Sequence, residues 1–225
     1  LNKKFSFFFL DLDDTLYAYD VCHEAGLEGL VNFAEANFNL TREVILSGYK
    51  SARKTINSRL VGFATSHSRL LYAKEFCEAF KINPVLFSLP LEKSYWDGFL
   101  SKMVLREDAL LFLNRIKESG CKLALVTDLT TEIQLRKLAY LKIGDLFDVI
   151  VTSEEAGKEK PAAEIFDLAF KKLNAQKPSS VMIGDNYEKD VLGARAYGIS
   201  AFYFGSKEGE PQSINSFTEA IQLFL

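Results

Sequence analysis

Apolar positions fall into two regimes along this chain. FSFFFL (Phe5 to Leu10) is nearly continuous and does not alternate, the pattern of a short strand covered on both faces. From Tyr17 to about Leu100 no stretch reads as a strand. There AGLEGLVNFAEANF sets Leu27, Leu30, Val31 and Ala34 at helical spacing. TREVILSGYKSARKTINSRLVGF and SRLLYAKEFCEAFKI repeat that period, with Thr41 as the expected helix cap. Pro84 and Pro90 bracket PVLFSLP, which is expected to be a loop.

Beyond residue 100 the period switches regularly between helix and strand. REDALLFLNRIKESG is an amphipathic helix ending at Gly120, followed by the strand CKLALVTD. TTEIQLRKLAYLKIG is a helix expected to end at Gly144, and DVIVTS is the next strand. AAEIFDLAFKKL begins a helix after Pro161, and SSVMIGD is a strand ending in Asp185. EKDVLGARAYG predicts a helix stopping at Gly198, then the strand ISAFYFG and a closing helix, FTEAIQLFL.

Strands that alternate with helices predict an α/β fold with a Rossmann-like, mostly parallel, doubly wound sheet. The helical stretch interrupts that pattern after the first strand. It predicts an inserted helical cap domain at 17–100, with residues 1–16 and 101–225 forming the core. In such sheets the site lies beyond the carboxyl ends of the strands. Those ends here carry Asp11 and Asp13, then Thr127 and Asp128, then Asp185.

Composition narrows the function classes. The 225 residues are 48% hydrophobic and 25% charged, an ordinary globular balance. A net charge of −3 without a cluster of Lys and Arg argues against a nucleic-acid surface. Lys3-Lys4 and Lys171-Lys172 are expected to be solvated. No apolar run is long enough to span a membrane, and Asp11 interrupts the one that superficially suggests a signal peptide. Cys22, Cys77 and Cys121 are scattered and form no CxxC, which predicts a reducing, cytoplasmic setting. The sequon Asn39-Leu40-Thr41 carries no weight there. Both a monomer and a homodimer are compatible with the sequence.

FFFLDLDD raises the chemical question: three carboxylates stand in four positions at the end of a buried strand. Asp11 and Asp13 can both bend toward one centre at a frayed strand end, and like charges that close need a cation. An oxygen-only ligand set with several waters favours Mg2+. Asp185 and Asp190 can complete the carboxylate shell. Thr127 offers a hydroxyl, and Lys160 places a cation near the start of a helix, a good setting for an anion. Lys158 competes for that role, with Lys160 preferred because it directly precedes Pro161. An aspartate held against phosphate beside a metal is a nucleophile, and a second aspartate is an acid and base. The reaction predicted is hydrolysis of a phosphate ester through an aspartyl-phosphate.

DLDDTL (Asp11 to Leu16) resembles the first motif, DxDxT, of the haloacid dehalogenase-like hydrolases. Thr127 in LALVTD resembles their second motif, Lys160 in GKEKPAAEIF the third, and Asp185 with Asp190 in GDNYEKD the fourth. The resemblance covers Phe5 to about Gly205, and the insertion is similar to the helical cap type of phosphatases acting on nucleotides and sugar phosphates. It implies Asp11 as nucleophile and Asp13 as general acid and base. It implies Mg2+ held by Asp11, Asp185, the main-chain carbonyl of Asp13, and Asp190 directly or through water. Thr127 and Lys160 would hold phosphoryl oxygens, with amides near Asp14 and Asp128, and Thr15 would orient the loop. Where many relatives have Asn, this chain has Asp128, a position expected to offer mostly backbone. Met103 to Arg106 stands where proline and glycine are common.

The implied partner is therefore a small phosphorylated metabolite, a nucleoside monophosphate or sugar phosphate. Asp13 argues against carbon–halogen cleavage, which needs no leaving-group acid. A phosphomutase would use the same residues and differ in product. A phosphoacceptor signalling module is shorter and carries its acceptor on another strand, and a non-catalytic binding protein has no need of competent residues at each position. His23 and His67 form no metal motif. Arg53, Lys54, Arg59 and Arg69 are expected on a solvated helix face, and Tyr95 and Trp96 in packing.

Overall fold

The structure, a computed structural model, describes residues 4–225. Lys4 is exposed, and Lys3 lies outside the described residues. The chain divides into two compact units, Leu1–Ala18 with Val104–Leu225, and Tyr19–Met103. Among the described residues no helix is long and apolar enough to cross a membrane. All three cysteines are free and buried.

Strand β1 (Phe7–Leu10) opens the first unit. Four helices make the second: α1 (Tyr19–Asn37), α2 (Arg42–Arg59), α3 (Arg69–Ala79) and α4 (Pro84–Ser101). The first unit resumes with α5 (Ala109–Glu118), β2 (Lys122–Thr127), α6 (Thr131–Leu141) and β3 (Val149–Thr152). Then follow the short α7 (Ser153–Ala156), α8 (Ala163–Leu173) and β4 (Ser180–Gly184). A π-helical turn (Tyr187–Leu192) runs into α9 (Gly193–Tyr197), and β5 (Ser200–Phe204), β6 (Ser213–Ile214) and α10 (Phe217–Phe224) end the chain.

The six strands form one sheet in the order β3-β2-β1-β4-β5-β6, with each neighbouring pair parallel. The run of phenylalanines in β1 follows from this central place. Phe8 meets Phe112 of α5 and Phe224 of α10 edge-on. Phe9 points the other way and stacks on Phe170 of α8 at 4.7 Å. Both are fully buried, and each such burial contributes roughly 1.5–3 kcal/mol. β1 therefore shows no alternation because both of its faces are interior. β4 lies on one side of β1 while β2 and β3 lie on the other, so the chain reverses its winding beside β1, where α/β sheets open a crevice.

The helical unit corrects three expectations. PVLFSLP is the start of α4 rather than a loop. Pro84 occupies the first turn, where no N–H is needed, and the Asn83 side chain caps it by accepting from the amide of Val85 (2.9 Å). Pro90 removes one helical hydrogen bond, yet the helix continues because Leu91, Tyr95, Trp96 and Phe99 are buried beyond it. Thr41 holds the N-cap position of α2 without a side-chain capping bond. Arg69 is not on a solvated face: it is 5% exposed, whereas Arg53, Lys54 and Arg59 are exposed. Helices α1 and α4 approach backbone to backbone. A Cβ on Gly29 would sit 2.4 Å from the Ser94 carbonyl, and one on Gly98 2.3 Å from that of Ala25.

In the first unit, α6 stops before Gly144. Lys142 takes the left-handed conformation (φ 56°) that ends it. β6, two residues long, carries no sequence pattern of its own.

Candidate active site

Asp11 leaves β1 with its amide still bonded to the carbonyl of Ile183 in β4 (3.0 Å). Its carboxylate is thus fixed at the mouth of the β1–β4 junction. Asp185 follows β4 directly, and Asp190 lies on the π-helical turn. Carboxylate oxygens of Asp11, Asp185 and Asp190 all lie within 4.8 Å of one another. Asp190 reaches this place because Gly184 has no side chain: a Cβ there would come 2.4 Å from the Asp190 carboxyl carbon. Asp190 Oδ2 also accepts from the Asn186 amide (2.9 Å), and the Asn186 side chain accepts from the Lys189 amide (3.1 Å).

Lys160 is 3% exposed, and its ammonium binds the cluster. Nζ donates to Asp11 Oδ1 (2.6 Å) and to the Val126 carbonyl (2.9 Å), and it lies 2.7 Å from Asp190 Oδ1. Lys158 is exposed, and of the two lysines it is Lys160 whose ammonium reaches Asp11 and Asp190. The Thr15 hydroxyl can donate to Asp11 Oδ2 (3.1 Å) or Asp185 Oδ1 (3.2 Å) and accepts from the Asp185 amide (3.1 Å). It clips the loop after β1 to the end of β4. Arg106 braces the same loop, donating to the carbonyls of Thr15 (3.1 Å) and Asp14 (2.8 Å) and to Asp14 Oδ1 (3.0 Å). Asp14 there takes a left-handed φ of 61°.

Asp13 goes elsewhere. Its carboxylate is not in the cluster with Asp11, against the expectation that both bend to one centre. Adjacent odd positions diverge here because α6 supplies a separate set of partners. Lys137 Nζ and the Tyr17 hydroxyl donate to Asp13 Oδ1, and Gln134 Nε2 donates to Oδ2 (2.8 Å). Lys137 and Gln134 are wholly buried. Gln134 Nε2 also lies 2.6 Å from Thr127 Oγ1 and 2.7 Å from the Asp128 carbonyl. This one amide joins the ends of β1 and β2.

Asp128 also departs from expectation, since its side chain as well as its backbone is engaged. Oδ1 accepts from the Lys160 amide (3.0 Å) and Oδ2 from Lys189 Nζ (2.7 Å). Lys189 reaches Glu159 as well (3.2 Å). The carboxylate therefore pins the segment that carries Lys160.

Charge follows geometry. Burial pushes the Asp11 carboxyl well above the usual range, with Asp190, Asp185 and Asp13 adding to it and Lys160 opposing. Burial and Asp190 raise Asp185 to about 6. Burial also works against ionisation of Asp13, but Lys137, Tyr17 and Gln134 outweigh it and hold that carboxyl below its ordinary value. One side of the loop is thus short of positive charge and the other is supplied with it. Three crowded carboxylates with oxygen donors only, two of them raised, suit a hard divalent cation.

The sequence reading missed Tyr17, Arg106, Gln134, Lys137 and Lys189. Gln134 and Lys137 had a signal. They share the inward face of α6 with Ile133 and Leu138, so they are polar residues on an apolar stripe.

The sequence model of the haloacid dehalogenase-like hydrolases matches residues 72–204. The ribulose-1,5-bisphosphate 5-phosphatase of Halopiger xanaduensis is 37% identical over 200 residues, 88% of this chain and 84% of that protein. The glyceraldehyde 3-phosphate phosphatase of Methanothermobacter thermautotrophicus is 29% identical over 91% of this chain and 87% of its own. Among solved structures, the magnesium-bound HAD-hydrolase YfnB from Bacillus subtilis shares the fold at a TM-score of 0.74, with 20% identity and 99% of both chains covered. With acidic residues directly after β1, β2 and β4 of a β3-β2-β1-β4-β5-β6 sheet, a family model that matches it and a relative aligned along most of both chains, the chain belongs to the haloacid dehalogenase-like hydrolases.

Proposed function

We propose that this phosphoric monoester hydrolase removes phosphate from a small phosphorylated sugar through an aspartyl-phosphate on Asp11. The observation that carries the reading is the buried Asp11 carboxylate at the end of β1, bonded to Lys160 and within reach of Asp185 and Asp190. The ribulose-1,5-bisphosphate 5-phosphatase and the glyceraldehyde 3-phosphate phosphatase, 37% and 29% identical along most of the chain, support the substrate class over a pyrimidine 5'-nucleotidase of Escherichia coli, which is 25% identical.

A Mg2+ held by Asp11, Asp185, Asp190 and the main-chain carbonyl of Asp13 would neutralise the charge between nucleophile and phosphate. Lys160 and the Thr127 hydroxyl bind phosphoryl oxygens, helped by the amides near Asp14 and Asp128. Thr15 and Arg106 keep the loop after β1 from relaxing. Asp11 then attacks phosphorus in line. Asp13 protonates the departing alkoxide, and the dianionic substrate supplies the repulsion that lets its lowered carboxyl take up that proton. In the second step Asp13, again ionised against Lys137, takes a proton from a water whose oxygen bonds to phosphorus, and the bond from phosphorus to Asp11 breaks to return the carboxylate and release orthophosphate. Residues 19–103 make up the helical cap domain in this reading.

A phosphate-release screen tests this with ribulose-1,5-bisphosphate, glyceraldehyde 3-phosphate and pyrimidine nucleoside monophosphates, each with Mg2+. Release from the sugar phosphates is the expected result. Release from nucleotides alone would overturn the substrate class, and isomerisation without release would overturn hydrolysis.

A further inference from the structure

A short connection joins β2 to α6, so the first turn of that helix stands at the end of the strand. Helical side chains lean toward the N-terminus of their helix, and Gln134, in that first turn, reaches back to the strand end. It is wholly buried. Its Nε2 lies 2.6 Å from Thr127 Oγ1, 2.7 Å from the Asp128 carbonyl and 2.8 Å from Asp13 Oδ2. A side-chain amide nitrogen carries two hydrogens, so these acceptors share them. The other end of the amide, Oε1, is buried with no hydrogen-bond partner. A buried carbonyl left so is costly. Turning the amide over offers no remedy, because it would set Oε1 against a carboxylate and a carbonyl, which only accept. Packing alone would be met by an apolar residue, as at the neighbouring buried Ile133 and Leu138. The side chain instead leaves one of its own atoms unpaired and crowds its donors onto the site.

The acceptors have different tasks. The Thr127 hydroxyl accepts from Gln134, and its own hydrogen is left with a long contact, the Asp128 carbonyl at 3.3 Å. That hydrogen is available to a phosphoryl oxygen. Asp13 is held from two sides, Oδ1 by Lys137 and Tyr17 and Oδ2 by Gln134. The contacts at Oδ1 fix where the carboxylate sits, and the one at Oδ2 fixes the plane in which it lies.

We propose that Gln134 is a positioning residue for the first chemical step: it sets the spacing between the hydroxyl that holds the phosphoryl group and the carboxyl that protonates the leaving oxygen. The inference rests on the roles given above to Thr127 and Asp13. Gln134 transfers no proton. The one that reaches the departing alkoxide comes from Asp13, and Nε2 keeps both of its hydrogens. With the amide in place, Asp13 faces the oxygen of the P–O bond that breaks. Without it, the carboxylate turns about its Lys137 contact and loses that aim.

The leaving group separates proton delivery from packing. An alkyl phosphate loses an alkoxide that must be protonated, whereas p-nitrophenyl phosphate loses a phenolate that departs without a proton. kcat/KM covers binding and the first phosphoryl transfer and leaves out the later hydrolysis of the aspartyl-phosphate. The alkyl ester is the one identified by the release screen; a sugar phosphate and a nucleotide serve equally, since both lose an alkoxide. Q134M keeps the length of the side chain and removes both donors. With saturating Mg2+, its kcat/KM for the alkyl ester should fall by about 10²-fold. That for p-nitrophenyl phosphate should fall by about tenfold at most, the share of the slackened Thr127 hydroxyl. Q134E, nearly isosteric, guards against a packing defect in Q134M and should show the same split. An equal fall for both esters in both variants, or no fall, would overturn the proposal. D13N measured beside them tells which premise failed. If D13N splits the two esters and the Gln134 variants do not, Asp13 is the acid and Gln134 serves packing alone. If D13N does not split them either, the acid assignment falls and the role of Gln134 with it.

Discussion

The two units bury charge in opposite ways. In the core, Lys160 meets Asp11 and Asp190, and Lys137 meets Asp13, so each buried ammonium has carboxylate partners. In the helical unit, Arg69 is also buried, and among the described residues its recorded contacts are aromatic rings, a carbonyl and a phenol. The core is locally rich in carboxylate and suited to a cation, whereas the helical unit keeps a net positive interior. Burial alone therefore does not say what a charged side chain is for; the sign of what is left unpaired does.

The largest expected consequence is at Lys160. K160M leaves Asp11 and Asp190 buried without their counter-ion and should cost about 3–5 kcal/mol in metal-free protein. Denaturant unfolding followed by far-UV circular dichroism measures it, and saturating Mg2+ should recover much of the loss. R69M removes a cation that has no carboxylate to strand. It should cost only about 1 kcal/mol, the cation–π share, read from Trp96 fluorescence. Equal costs at the two sites would break the comparison.

Next comes K137M, which releases Asp13 from its ion pair. With Asp13 as acid and base, kcat should fall by about 10²-fold while KM changes little, and K137R should restore part of it. A rise in KM alone would make Lys137 a binding residue instead.

The two units should also respond to pH with opposite slopes. Asp185 is raised to about 6 from 3.8, so the metal-free core gains stability from a bound proton below about pH 4. It loses that stability as pH rises through about 6. His23 is lowered from 6.5 to about 4, so its contribution is present above 6.5 and is lost as pH falls toward 4. The lowered Asp13 acts only below 3.8, outside this window. Between about pH 4 and 6, Trp96-detected stability should rise with pH while that of the metal-free core falls. H23Q should flatten the first slope, and Mg2+ should reverse the second by displacing protons. Parallel slopes would contradict the assignment of charge to the two units.

What was legible in the sequence was what hydrophobic period and strand ends encode. Phe7–Leu10 running into Asp11, and Ser180–Gly184 running into Asp185, announce strands whose ends carry chemistry. Residues whose partners come from distant segments were not legible. Asp13 reads like a twin of Asp11 until α6 brings Lys137 and Gln134 to it across more than a hundred positions. Arg69 has the sequence surroundings of a surface cation, and only the packing of Tyr72, Tyr95 and Trp96 makes it internal. Pro90 misled because local propensity favours a break where tertiary burial sustains a helix.

Phosphate release by purified D11N, with Mg2+ saturating and its circular dichroism spectrum matching that of the wild type, bears most directly on the core chemistry. The change is nearly isosteric; it replaces one carboxylate oxygen by an amide nitrogen and removes the charge that meets Lys160. An Asp11 nucleophile predicts a fall in kcat on the order of 10⁴-fold or more. Turnover within about tenfold of wild type would show that phosphate leaves without passing through Asp11.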